Sequence, residues 1–204
     1  MSDSTRADRV FGHFPELLTP RLLLRDLTPG DASDLYAVFG DSEVTRYYDL
    51  DPFTDVIQAR DLVDRFILRY QRRIGIRWAI CRREAPSRVL GTCGYNLWVQ
   101  TSRRGLLGYD LARAHWRRGI MTEALSAVLR YGFGTMDLNR VEALVCVGHQ
   151  ASERLLARLG LRPEGILRQY ERIGGALADM TMHALLRREA GALAPPQPEP
   201  VPVP

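Results

Sequence analysis

The hydrophobic period of this chain switches between residues 109 and 131, and that switch constrains the fold more than any other feature. Tyr109 and Leu111 alternate with Asp110 and Ala112, the two-residue period of a strand. From Ile120 the apolar positions are Ile120, Ala124, Val128 and Tyr131, which share one face of a helix. Between the two periods lies Trp116-Arg-Arg-Gly119. A strand that passes through a basic, glycine-containing turn onto a helix N-terminus makes an anion site. The first-turn N–H groups have no intrahelical partners, and the macrodipole adds partial positive charge. Arg117 and Arg118 add forked donors suited to phosphate. An ordinary connection with a solvated Arg pair has the same local pattern, so the rest of the chain decides.

Upstream, residues 1–18 read as a leader anchored by Val10, Phe11 and Phe14. Arg21-Leu-Leu-Leu-Arg-Asp-Leu27 reads as a strand. Thr28-Pro-Gly-Asp31 opens a helix, with Thr28 as N-cap and Pro29 at the first position. The loop Tyr47-Tyr-Asp-Leu-Asp-Pro-Phe53 either lines a groove or packs its aromatics beneath itself. Thr54 caps a longer helix with Val56, Ala59, Val63, Phe66 and Tyr70 on one face. Strand signals from Ile74 to Cys81, from Val89 to Val99 and before the basic turn predict a three-strand antiparallel meander. Downstream, Arg140 to Val147 reads as a buried strand. The strand–helix–strand order predicts one parallel crossover. A short helix from Gln150 to Leu159 and strands near Gly165–Tyr170 and Met180–Leu186 follow. Residues 190–204 are Pro-rich and read as a disordered tail.

Composition closes off several classes. No apolar run approaches the roughly 20 residues of a membrane span, and the N-terminus lacks a signal-peptide h-region, so the reading is cytoplasmic with no membrane partner. The 28 basic residues are all Arg. A Walker-type lysine and a Schiff-base lysine are therefore excluded. Arg alternates with acids along the helices, which argues against nucleic acid. Cys81, Cys93 and Cys146 are widely spaced in apolar runs, and the four histidines lack ligand spacing, so no metal is expected.

The ordered pieces Arg21-Leu-Leu-Leu-Arg25, Gly91-Thr-Cys-Gly94, Gly108-Tyr-Asp-Leu111, Trp116 to Ala124, Leu138-Asn-Arg-Val-Glu142, Ala151 to Gly160 and Glu164 to Tyr170 resemble the GNAT superfamily of acetyl-CoA-dependent N-acetyltransferases. In detail they are most similar to its RimJ/RimL-like branch. The resemblance covers roughly residues 19–189. It implies an α+β fold: a mixed, mostly antiparallel sheet of six to seven strands flanked by helices, whose parallel crossover forms the coenzyme cleft.

Acetyl-CoA is then the co-substrate. By the resemblance, backbone N–H groups of Arg117, Arg118, Gly119, Ile120, Met121 and Thr122 cradle its pyrophosphate, with Trp116 opening the loop. Leu111 and Ala112 belong to the strand that pairs with the pantetheine arm. Arg113 and Arg154 reach phosphate or are solvated. The family's usual residues at the positions of Trp116, Met121 and His149 are Gln or Arg, Gly or Ala, and Asn. Ser152 either hydrogen-bonds the departing thiolate or caps its helix.

Relatives carry a Glu ahead of Gly-Tyr where this chain has Leu106. Asp110 becomes the general-base candidate, with Glu123, Tyr170 and Asp179 behind it. Glu123 reads better as an acid favouring the helix dipole. Tyr48, Tyr95 and Tyr170 are candidate acceptor residues. The expected reaction is direct acetyl transfer to an amine in a ternary complex, with a protein N-terminal α-amine as the acceptor implied by the branch. A small amine such as an antibiotic or polyamine, and a non-catalytic acyl-CoA-binding module, are the alternatives. A homodimer is common in the family.

Overall fold

The computed structural model describes residues 3–192. The chain opens with a helix, α1 (Asp3–Phe11), followed by the short strand β1 (Leu17–Leu18) and β2 (Leu22–Arg25). Helices α2 (Ala32–Phe39), α3 (Ser42–Thr45) and α4 (Val56–Gln71) come next. The meander is β3 (Ile76–Arg82), β4 (Ala85–Val99) and β5 (Arg104–Leu111). Then follow α5 (Ile120–Gly134), β6 (Arg140–Cys146), α6 (Gln150–Arg158), β7 (Arg162–Ile173) and β8 (Ala176–Leu186). The strands form one sheet in the order β1-β2-β3-β4-β5-β6-β8-β7. Eight strands replace the expected six to seven. The addition is the two-residue β1, and the terminal hairpin is longer than its apolar pattern indicates.

Local chemistry sets the element ends. Asp31 accepts from the Thr28 N–H at 2.7 Å, closing the turn that enters α2. At α4 the cap is Asp55, which accepts from the Ile57 N–H at 2.8 Å, one residue later than the expected Thr54. Strand alternation then sorts the core. Ile76, Trp78 and Ile80 face a cluster built with α5, whereas Ala79 and Cys81 face one built with α2 and α4. Helices therefore cover both sheet faces.

The leader residues form a docked helix. Val10 is fully buried, Phe11 packs on Tyr70 and Trp98, and Phe14 packs on Tyr70 and Trp78. The helix is amphipathic, but it is too short for its pattern to stand out in the sequence. Residues 190–192 continue a short 3-10 turn, and the rest of the Pro-rich tail lies outside the described residues.

The feature that positions the site is a partial pairing. β5 and β6 run parallel, but only Arg104–Leu106 pair with Arg140–Glu142. Glu142 sits at the last rung. Its two carboxylate oxygens take Arg104 at 2.5 Å and Arg140 at 2.6 Å. Beyond it β6 keeps its partner β8, β5 keeps β4, and the two central strands part.

Candidate active site

The gap between the parted strands is a cleft of about 970 Å3. One wall is β5. The Ala112 N–H donates to the Leu90 carbonyl on the β4 side, at 2.8 Å. Backbone alternation then turns the groups of Tyr109 and Leu111 toward the gap. Their carbonyls are already taken there: the Tyr48 hydroxyl reaches the Tyr109 oxygen at 3.2 Å, and Trp116 Nε1 donates to the Leu111 oxygen at 2.7 Å. The N–H groups on this edge are the donors left for a bound molecule.

The loop into α5 has the conformation an anion needs. Arg117 (φ 58°) and Gly119 (φ 72°) are both left-handed. Alternating left- and right-handed residues point successive N–H groups into one concavity. Gly119 occupies the N-cap position, and no side chain caps the helix. Its positive φ favours the residue without a Cβ. Trp116, Arg117, Gly119, Ile120, Met121 and Thr122 all line the cleft. Across from them α6 contributes Arg154 and Arg158 to the lining. Concentrated positive charge and free N–H groups at one end fit a diphosphate.

Three of the expected coenzyme residues do not line the cleft. Ala112 is turned to β4, as above. Arg113 is committed to an ion pair with Asp41 at 2.7 Å. Arg118 contributes its carbonyl, which Arg21 holds at 3.1 Å.

His149 lines the cleft in an unexpected way. Its ring stacks on Tyr47, with centroids 4.3 Å apart and planes within 13°. The loop before α4 and the start of α6 thus meet across the mouth of the cleft, which settles the groove reading of the Tyr47 loop. Burial lowers the His149 pKa, with Glu153 opposing the shift, so the stacked ring is neutral near pH 7. Ser152 faces inward from α6, and its hydroxyl shares a 2.5 Å hydrogen bond with Tyr109. Burial pushes the Tyr109 hydroxyl up to about 12, with Ser152 opposing the shift, so that proton stays on the pair.

The general-base candidate on β5 is already committed. Asp110 accepts from the Thr92 N–H at 2.9 Å, from Thr92 Oγ1 at 2.7 Å and from Arg77 Nη2 at 2.5 Å. Tyr48 adds a hydroxyl at 3.4 Å. The Asp110–Arg77 pair is almost entirely buried. Burial opposes the Arg77 charge, but Asp110 beside it holds the guanidinium pKa above its ordinary value. Three of these four donors converge on Oδ2, so the carboxylate is bound into a buried ion-pair network.

Two of the three expected acceptor tyrosines are also elsewhere. Tyr48 lines the cleft. Tyr95 is fully buried beneath α5. Its hydroxyl donates to the Val128 carbonyl at 3.1 Å and lies against Gly132, where a Cβ would fall within 2.0 Å of it. Tyr170 is exposed on β7 in a shallow hollow of its own. Asp179 accepts from the Gln169 N–H at 2.8 Å and so holds the β7 bulge, where Gln169 has φ 51°. Glu123 is bound to Thr19 and Arg21.

The lining also holds polar residues not anticipated from sequence, among them Asn96 and Glu171. Asn96 Oδ1 accepts from Arg69 at 3.2 Å and Arg77 at 3.1 Å. Glu171 is half-buried and forms no ion pair among the described residues. It shares the half-buried strand face with Leu167 and Ile173. Plain alternation groups Glu171 with Gln169, so no apolar face marks it in the sequence.

A family model for the acetyltransferase (GNAT) domain matches residues 21–162, more than half of the chain. The chain belongs to the GNAT acetyltransferases. The enzyme is 39% identical over 174 residues to the uncharacterized N-acetyltransferase YoaA of Bacillus subtilis (strain 168), covering 85% of this chain and 98% of that one. It is 37% identical over 98 residues to the [ribosomal protein uS5]-alanine N-acetyltransferase of Escherichia coli (strain K12), covering 48% of this chain and 50% of that one. Among solved structures, RimL, a ribosomal L7/L12 alpha-N-protein acetyltransferase in complex with coenzyme A, superposes with a TM-score of 0.76 at 22% identity. That match covers 84% of this chain and 98% of RimL, and it shows the shared fold. These likenesses support the RimJ/RimL-like branch. The acetyltransferase takes its acetyl group from acetyl-CoA. Among the described residues no helix is long and apolar enough to cross a membrane.

Proposed function

We propose that the acceptor is a protein N-terminal α-amine, acetylated by direct attack in a ternary complex, with Glu171 as the base. One observation carries this reading: Glu171 is a half-buried, unpaired carboxylate on the cleft wall, while the rival Asp110 is spent on an ion pair. The relative that acetylates the alanine of ribosomal protein uS5 supports a protein acceptor.

The chemistry suits an α-amine. With a pKa near about 8 it is neutral at roughly a tenth at pH 7, whereas a lysine amine at about 10.4 is neutral below roughly one part in a thousand. Modest base assistance therefore suffices. Glu171 takes the proton as the amine attacks, directly or through one water. The open N–H groups of Tyr109 and Leu111 face the developing oxyanion. Ser152, held by Tyr109, donates to the departing thiolate. The nest at Arg117–Gly119, the first turn of α5, and Arg154 hold the diphosphate.

The test is thiol release from acetyl-CoA with N-terminal peptides, lysine-side-chain peptides and small amines. The chain has no lysine of its own to compete as a side-chain acceptor. Release with free-N-terminus peptides, and its loss when those N-termini are blocked, is the expected result. Turnover confined to polyamines or aminoglycosides would instead assign the acids Glu43 and Asp49 at the cleft mouth to a small cationic acceptor. Coenzyme A binding without turnover on any acceptor would leave a non-catalytic binding module.

A further inference from the structure

Arg21 lies in the turn between β1 and β2 and does not line the cleft. It nevertheless grips the coenzyme loop. Its Nη1 donates to the Arg118 carbonyl at 3.1 Å, and its Nη2 stands 3.5 Å from where a Cβ on Gly119 would be. The side chain is itself held. Nε donates to Glu123 Oε2 at 2.6 Å, and the Arg21 backbone N–H donates to Oε1 at 2.9 Å. Thr19 Oγ1 donates to the same Oε1 at 2.6 Å, while the Leu22 N–H anchors Thr19 Oγ1 at 2.9 Å.

The Arg21 side chain is nearly half exposed, at 45%. Ion pairs at that exposure contribute little to stability. Its geometric effect is larger. In a trans peptide the C=O and the next N–H point in opposite directions. Arg21 draws the Arg118 carbonyl to its own side, outside the cleft. The Gly119 N–H is thereby turned the other way, into the cleft that Gly119 lines. The same contact moves a carbonyl lone pair away from the place where an anion would sit.

We propose that Arg21 is a positioning residue for the coenzyme loop. It sets the Arg118–Gly119 peptide so that the loop presents donors to the pyrophosphate, and Glu123 orients Arg21. This inference rests on the reading that places the pyrophosphate at residues 117–122. It gives Glu123 a second task beyond favouring the helix dipole.

The test uses Arg21→Ala, Arg21→Lys and Gly119→Glu in the full chain. Two probes are used: the calorimetric Kd of coenzyme A, and kcat/KM with S-acetylpantetheine, a donor that lacks the nucleotide and its phosphates. Arg21→Ala should weaken coenzyme A about tenfold, the scale of one charge-assisted contact. It should leave S-acetylpantetheine turnover and the kcat at saturating acetyl-CoA unchanged. Arg21→Lys should not restore affinity fully, because an ammonium lacks the fork that serves Glu123 and the carbonyl together. Unchanged coenzyme A affinity in Arg21→Ala would overturn the inference. So would an equal loss on both probes, which marks general damage, or full restoration by Arg21→Lys, which marks simple charge. Gly119→Glu separates the two readings. If it leaves coenzyme A affinity intact, the loop placement fails and the inference falls with it. If it abolishes affinity while Arg21→Ala does nothing, only the Arg21 inference fails.

Discussion

The two ends of the cleft are built from different materials. The end assigned to the donor is made of backbone: a left-handed nest, an uncapped helix terminus and one strand edge. Its backbone donors are nearly contiguous, from Leu111 to Thr122, with Arg154 and Arg158 of α6 facing them. The end assigned to the acceptor is made of side chains brought from distant segments. Tyr48 meets Asp110 from 62 residues away, Arg77 meets it from 33, and Glu171 arrives from the last hairpin. A backbone site tolerates changes of side chain, as at Trp116 and Met121. A side-chain site fails when any one partner is removed.

The largest test of that contrast is Asp110→Ala. It strands the buried Arg77 charge, and loss of one partner from such a pair costs about 3–5 kcal/mol. Urea unfolding should show that loss. A shift below about 1 kcal/mol would mean that water reaches Arg77 and the acceptor end is not the rigid network described.

Glu171→Gln comes next. It should lower kcat by about a hundredfold or more, the scale of a positioned general base. Coenzyme A affinity and the melting temperature should stay where they are, because Glu171 carries no ion pair among the described residues. Undiminished kcat would remove Glu171 from the chemistry.

At the donor end, Gly119→Ala should reduce coenzyme A affinity about tenfold, since a left-handed backbone costs an alanine about 1–2 kcal/mol. Arg117→Ala should do less, because that position offers its N–H whatever its side chain. A larger effect at Arg117 than at Gly119 would reverse the backbone account.

The smallest effect belongs to the stack that joins the two ends. Tyr47→Leu should cost about 0.5–1.5 kcal/mol, the worth of an aromatic pair. His149 has a depressed folded pKa, so the folded state binds fewer protons than the unfolded one. Its contribution is complete above the ordinary histidine value of about 6.5 and is lost as pH falls from there through the folded value. Stability of the native chain should therefore fall more steeply than that of His149→Phe as pH drops below about 6.5. Parallel curves would mean that the stack does not respond to the proton.

What could be read from the sequence follows the same division. The change of period at Trp116–Gly119, the meander and the parallel crossover are local patterns, and they place the nest and the cleft. Asp110 does line the cleft, but the sequence does not show that its carboxylate is bound into an ion pair, and Tyr95 is turned away from the cleft altogether. Alternation along a strand says that two faces differ, but not which face meets the cleft. Thr92 and Arg77 on neighbouring strands claim Asp110, and Gly132 makes room for Tyr95 under α5. Tyr170 was displaced by the bulge at Gln169, where β7 spends extra residues opposite β8. Glu171 was overlooked because its half-buried face appears only once that bulge is known.

The parallel ladder between β5 and β6 stops after three rungs, at Glu142. That stopping point is a depth gauge. One rung fewer would let the two strands part earlier and deepen the cleft. One rung more would pair Leu107 with β6 and shorten the open edge that carries the Tyr109 and Leu111 N–H groups. A carboxylate pinned by two arginines marks the fork. The depth of the cleft is thus measured out by three paired rungs.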